Sequence, residues 1–156
     1  MFMGRSRIKS NTRTTSGVPP QQDQVEIGDA DLVLDPNPAS IGGHLGGWFI
    51  FVEQPGDDVD FDVQVTCYRR KKGQGMSTHD IWTIDGEPQW VAGKPRLAFR
   101  FDVPADLPAT SVKKDTTQYF WQAVLEGRRH GQSVFRHSYT VPVRQGIRKS
   151  VAIQFD

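Results

Sequence analysis

Leu97 to Gly127, LAFRFDVPADLPATSVKKDTTQYFWQAVLEG, holds two strand-like runs on either side of a proline-punctuated loop. In the first run Leu97, Phe99, Phe101 and Val103 alternate with Ala98, Arg100 and Asp102. In the second, Tyr119, Trp121, Ala123 and Leu125 alternate with Phe120, Gln122, Val124 and Glu126. A period of two sends successive side chains to opposite faces, so each run offers one face to a core and one to solvent or a second layer. Pro104 and Pro108 cannot donate to a sheet ladder, so strand pairing must break between the runs.

Outward from this stretch the same signals recur. Ala30 to Leu34 reads as a short strand stopped by Asp35-Pro36-Asn37-Pro38. The glycine-rich Ile41 to Gly47 follows, and then Trp48 to Val52, a continuous apolar run that suits a strand covered on both faces. Gln54 to Asp58 is a turn, after which Phe61, Val63, Val65 and Cys67 alternate with polar residues. Arg69 to Ser77 reads as a basic connection, Asp80 to Ile84 as a strand closed by Asp85-Gly86, and Trp90-Val91 as its continuation across a bulge. Gly127 to Gly131 makes a hairpin loop. Phe135, His137, Tyr139, Val141 and Val143 form the next strand, and Val151, Ile153 and Phe155 one more. About eight strands with turn signals between them, and no amphipathic helix, predict an all-β fold, an antiparallel β-sandwich.

Residues 25–156 are expected to form that single sandwich, since 156 residues with 37% hydrophobic content suffice for one core. Residues 1–24 carry Arg5, Arg7, Lys9 and Arg13 without periodicity and read as a disordered basic and polar tail. No apolar run approaches the ~20 residues that span a bilayer, and no apolar block follows the N-terminal cations. The expectation is therefore a soluble protein or a soluble piece of a longer chain. A net charge of +1 gives no global field for nucleic acid, so no nucleic-acid partner is expected. One cysteine, Cys67, cannot form an internal disulfide.

The central stretch resembles the arrestin-like β-sandwich. In that fold a strand ends in a P-x-x-L-P-x-S segment and the next begins with a tyrosine; the matching positions are Phe99, Phe101, Pro104, Leu107, Pro108, Thr110, Tyr119 and Ala123. Leu32 to Gly47, LVLDPNPASIGGHLGG, is similar to a family of uncharacterised bacterial membrane-associated proteins in which such a domain follows membrane-spanning helices. Together the likeness covers Asp31 to Val143. It implies an arrestin-like or immunoglobulin-like sandwich acting as an interaction module rather than a catalyst. It departs from arrestins proper, which have two sandwiches, and from the bacterial proteins, whose helices have no counterpart in this sequence.

Candidate chemistry is sparse. Ile41 to Gly47 lacks the lysine, Ser or Thr and helix start of a phosphate-binding loop, so its glycines are read as permitting close backbone approach. Asp58, Asp60 and Asp62 share one strand face, but Phe61 and Val63 break the calcium-loop pattern; a solvated acidic face is expected. His44, His79, His130 and His137 have no metal spacing, and Cys67 falls on an inward face. No nucleophile, metal set or acid–base pair stands at useful spacing, so no enzyme activity, catalytic residue, metal or cofactor is expected.

Two clusters of cations remain: Arg69, Arg70, Lys71 and Lys72 in one connection, Arg128 and Arg129 in another. If both connections met at one end of the sandwich, they would form a basic patch for an acidic peptide, phosphate or lipid headgroup. The reading is a non-catalytic protein-interaction module with a protein partner, cytoplasmic or on the cytoplasmic face of the inner membrane. Its alternative is a carbohydrate-binding sandwich that uses exposed tryptophans among Trp48, Trp82, Trp90 and Trp121.

Overall fold

The structure, a computed structural model, describes residues 6–8, 12–13, 27–71, 77–111 and 117–146. Among these the chain is all strand, turn and loop, with no helix. The strands are β1 (Ser6–Ile8), β2 (Thr12–Arg13), β3 (Ala30–Leu34), β4 (Ala39–Ser40), β5 (His44–Phe51), β6 (Val59–Lys71), β7 (Ser77–Gly86), β8 (Gln89–Trp90), β9 (Arg96–Asp102), β10 (Thr117–Arg129), β11 (Gln132–Val141) and β12 (Val143–Arg144). A first five-stranded sheet has the order β1-β3-β5-β9-β8, and a second has the order β2-β11-β10-β6-β7. Every pairing within these two sheets is antiparallel.

The sheets face each other because alternation leaves each with one apolar side. Leu32, Leu34, Leu45, Phe49, Phe51, Leu97 and Phe99 come from the first sheet; Phe61, Val63, Val65, Cys67, Trp121, Ala123, Leu125, Phe135, Tyr139 and Val141 come from the second. Rings interlock across the gap: Phe49 lies 5.4 Å from Tyr139, and Phe51 lies 5.5 Å from Phe61 and 5.6 Å from Phe135. Burying aromatic and branched side chains of this size contributes about 1.5–3 kcal/mol each. The molecule is an antiparallel β-sandwich.

The proline segment is architectural. Val103 N–H donates to Gly43 O, and Thr110 and Val143 exchange two bonds, from Thr110 N–H to Val143 O and from Val143 N–H to the Thr110 hydroxyl. Ser111 and Tyr119 do the same, and Trp121 Nε1–H donates to Pro108 O at 3.0 Å. Pro104 and Pro108 interrupt the ladder, while Thr110 and Ser111 restore backbone bonding to β12 and β10. The short parallel pair of β4 and β12, with Ala39 N–H on Pro142 O and Ile41 N–H on Arg144 O, closes the same end.

Several sequence expectations change here. Trp48 to Val52 is not covered on both faces: β5 begins at His44, its Phe49 and Phe51 are buried, Trp48 and Ile50 are half-buried, and Val52 is 92% exposed. Trp90 does not continue β7; β8 joins the first sheet opposite Leu97, and the Trp90 ring packs on Phe51 and Phe61. Val143 leaves β11 after Pro142 to pair with β4. Within the stretch read as a disordered tail, Ser6–Ile8 pairs with β3 and Thr12–Arg13 with β11, since both inner strands offer an open edge there. The strand expected around Val151, Ile153 and Phe155 lies outside the described residues.

Gly46 and Gly47 act as the sequence suggests. A methyl group on Gly46 would stand 2.5 Å from Phe99 O, and one on Gly47 2.0 Å from Val33 O, with Gly47 at φ +146°. Their absence of side chains lets β3, β5 and β9 lie close together. Gly46→Ala or Gly47→Ala is expected to cost at least ~2 kcal/mol in urea unfolding. Gly93→Ala, where the turn has φ +73° but open space, is expected to cost about 1–2 kcal/mol from backbone strain alone. Equal losses at Gly47 and Gly93 would show that close strand approach is not what the paired glycines serve.

Candidate functional site

The two basic clusters do not meet. β6 runs on through Lys71, so Arg69, Arg70 and Lys71 are strand residues rather than a loop; Lys72 lies outside the described residues. Arg69, Arg70 and Lys71 stand opposite Tyr119, Gln118 and Thr117 of β10. Arg128 and Arg129 also belong to a strand, the far end of β10, opposite Asp60 and Val59. Only His130 and Gly131, both with positive φ, form the two-residue turn that follows. The ten residue steps from Tyr119 to Arg129 place the clusters about 34 Å apart along the strand. Charged residues fill these strand ends because cross-strand partners, not apolar alternation, complete the ladder there.

The clusters also differ in state. Arg128 pairs with Asp62 at 3.2 Å and with Glu126 at 2.8 Å, and Arg129 pairs with Asp58 at 2.9 Å. The acidic strip and the second basic pair thus neutralise each other, and among the described residues no group of three or more His, Cys, Asp or Glu is placed to hold a metal ion. By contrast, no carboxylate among the described residues pairs with Arg69, Arg70 or Lys71. Arg70 lies over the Phe120 ring, 4.8 Å from its centroid, and Phe120 stacks on Tyr68 at 4.9 Å and 17°. A guanidinium on a ring face keeps its charge and its planar fork while losing freedom.

This basic end abuts the edge of the second sheet. β7 is the last strand in the order, ten residues long, and among the described residues no strand pairs with its outer side. Its first half follows the cations: Ser77 opposite Lys71, Thr78 opposite Arg70, His79 opposite Arg69. Thr78, His79 and Asp80 are exposed. Beyond them the register shifts at Cys67/Tyr68, where Ile81 is the extra residue, and Trp82 then packs on Trp121 at 5.7 Å. The second half is further fixed by the Thr66–Thr83 hydroxyl bond. The edge therefore has a fixed inner half and a polar outer half beside three cations.

Other sequence candidates resolve differently. Trp121 is buried, while Trp48, Trp82 and Trp90 are half-buried, so none of the four is fully exposed. His137 is buried in the second sheet, stacked on Phe135 at 4.4 Å with Nε2 3.5 Å from Asp29. Cys67 is fully buried. The edge itself was missed by reading along the chain, because edge position is a property of sheet order.

No protein-family model matches the chain, and no curated protein matches it. Among solved structures the chain is similar to Spo0M, the sporulation control protein from Bacillus subtilis, with a TM-score of 0.47 and 13% identity over 77% of this chain and 50% of that one. The chain thus spans half the length of that protein.

Burial pushes the Cys67 thiol up to about 11. The buried Tyr139 phenol is raised well above the usual tyrosine range, by burial first and then by Asp31 and Asp29. Both groups hold their protons more tightly folded than unfolded, so each contributes stability that is lost as pH rises above its unfolded value: across about pH 9 to 11 for Cys67, and at higher pH for Tyr139. Native protein at pH 8 is expected to leave Cys67 unreacted with an aromatic disulfide reagent, and to react fully in guanidinium. The melting temperature should fall between pH 9 and pH 11. Rapid native labelling at pH 8 would contradict the buried thiol.

Proposed function

We propose that this chain is a non-catalytic protein-interaction module that takes an extended, acidic segment of a partner protein at the β7 edge. The observation that carries this reading is the coincidence of an open edge strand with three cations that have no carboxylate partner among the described residues. An added strand gains affinity from main-chain hydrogen bonds, and alternate side chains supply specificity. Carboxylates on one face of the added strand would reach past Thr78, which stands opposite Arg70 on β7, to that guanidinium. The Arg70–Phe120 stack holds one guanidinium ready and lowers the entropy lost on pairing.

The likeness of Leu32 to Gly47 to bacterial membrane-associated proteins supports placing such a module beside a membrane. Among the described residues no helix is long and apolar enough to cross one. None of the four tryptophans is fully exposed, which favours the peptide reading over a carbohydrate one.

The test titrates a synthetic octapeptide of alternating Glu and Val into the protein and follows backbone amide shifts. Shifts concentrated on Ser77–Gly86 and Arg69–Lys71, weakened at least ~10-fold by replacing Arg69, Arg70 and Lys71 with Gln and by raising salt, are the expected result. Shifts elsewhere, or binding unchanged by the triple replacement in a variant that melts like the parent, would overturn the reading.

A further inference from the structure

The β7 edge differs from one end to the other. β6 pairs with β10 without a register shift, so its residues alternate regularly between the two faces of the sheet. Cys67 and Val65 are buried, and Trp82 and Ile84 stand opposite them on β7, so those two side chains face inward. Thr78, Asp80, Thr83 and Asp85 stand opposite Arg70, Tyr68, Thr66 and Gln64 and face outward. Cys67 and Val65 are 0% and 1% exposed, yet Trp82 and Ile84 are only half-buried. The flank left uncovered is the outer side of the last strand. Phe101 of β9 is half-buried beside it; a methyl group on Gly86 would stand 3.1 Å from its ring.

Charge changes sign along the same edge. At the end that begins with Ser77, Arg70 lies on the outer face and Arg69 and Lys71 on the other. The Nε atoms of Arg69 and Arg70 are buried with no hydrogen-bond partner among the described residues. Toward the far end Asp80 and then Asp85 are exposed, and no cation among the described residues pairs with either. A cross-strand neighbour of opposite charge stabilises a pair and one of like charge destabilises it, so a strand laid here is sorted by where its charges fall. Every pairing in this sheet is antiparallel, and the antiparallel ladder is the more stable per residue.

We infer that the segment taken at β7 runs antiparallel to it and has a set polarity. A cation stands at its N-terminal end beside Asp85, and apolar side chains lie next to Trp82 and Ile84, where they cover the open flank. Carboxylates stand at its C-terminal end beside Arg69, Arg70 and Lys71. This polarity rests on the reading of β7 as the docking edge, and it narrows the partner from an acidic strand to one whose charge runs from basic to acidic.

Backbone amide shifts of the full 156-residue chain, titrated with two end-blocked octapeptides of one composition, test it. The forward peptide, Lys-Val-Thr-Val-Thr-Glu-Glu-Glu, sets its Lys opposite Asp85 and its three Glu opposite His79, Thr78 and Ser77, with Ile81 left as the bulge. The second peptide is the same sequence reversed. The forward peptide is expected to shift Ser77–Gly86 and to bind at least ~10-fold tighter than the reversed one. Ser in place of its two Val should weaken it at least ~5-fold. Asp85→Lys, at an exposed site, should weaken it ~3-fold, and Glu in the first place of the peptide should restore that loss. Equal binding of the two orders at β7, tighter binding of the reversed one, or an Asp85→Lys variant that takes the forward peptide unchanged would overturn the polarity and leave the edge reading standing. If neither order shifts β7, both fail.

Discussion

The hydroxyl of Tyr139 makes a buried polar contact that fixes how the two sheets sit on each other. Tyr139 lies in the second sheet with no exposed surface, and its O–H donates to Ala30 O, at the start of β3 in the first, at 2.7 Å. Apolar packing alone tolerates sliding of one sheet over the other; a buried hydroxyl does not, because losing its partner costs about 1–3 kcal/mol. The bond selects the alignment in which Phe49 lies beside Tyr139 and Phe51 fits between Phe61 and Phe135. Trp121 plays a similar part at the proline segment, where its indole N–H holds Pro108 against β10.

That alignment also decides which charges remain available. Asp58 and Asp62 meet Arg128 and Arg129 at one end of the sandwich and cancel them. Arg69, Arg70 and Lys71 emerge at the other end beside Thr117, Gln118 and Tyr119, which carry no charge. A chain with nearly zero net charge therefore has a polarised second sheet, with ion pairs at one extremity and, at the other, cations that no carboxylate among the described residues pairs with.

The residue pattern made the sandwich legible wherever one strand face is buried. Phe61 to Cys67, Trp121 to Leu125 and Phe135 to Val141 alternate in sequence and are buried on alternate positions in the fold. Legibility failed where partners rather than alternation decide. Arg69 to Lys71 look like a loop along the chain and become strand because β10 supplies the ladder. Trp90 sits in one sheet and not the other because of Leu97, a residue with no sign of that role in its neighbourhood. At the candidate site the cations could be seen but not their state. Asp62, which pairs with Arg128, and Asp58, which pairs with Arg129, are 66 and 71 residues away. Edge position, the other half of the site, depends on the order of all strands in the sheet.

The distance along the chain between Tyr139 and Ala30 has a consequence for how the protein comes into being. The two residues are 109 positions apart, and the Arg144–Ser40 contact that closes the proline end spans 104. Such closures must pay loop entropy before any contact rewards them, which makes folding slow for this topology. On the ribosome, β3, β5 and β9 emerge long before β10 and β11 that cover them. During that interval Phe49, Phe51, Leu97 and Phe99 face water. The nascent chain is then a natural client for a holding chaperone, and a messenger cut short before Tyr139 would yield a product prone to aggregate rather than a smaller working domain.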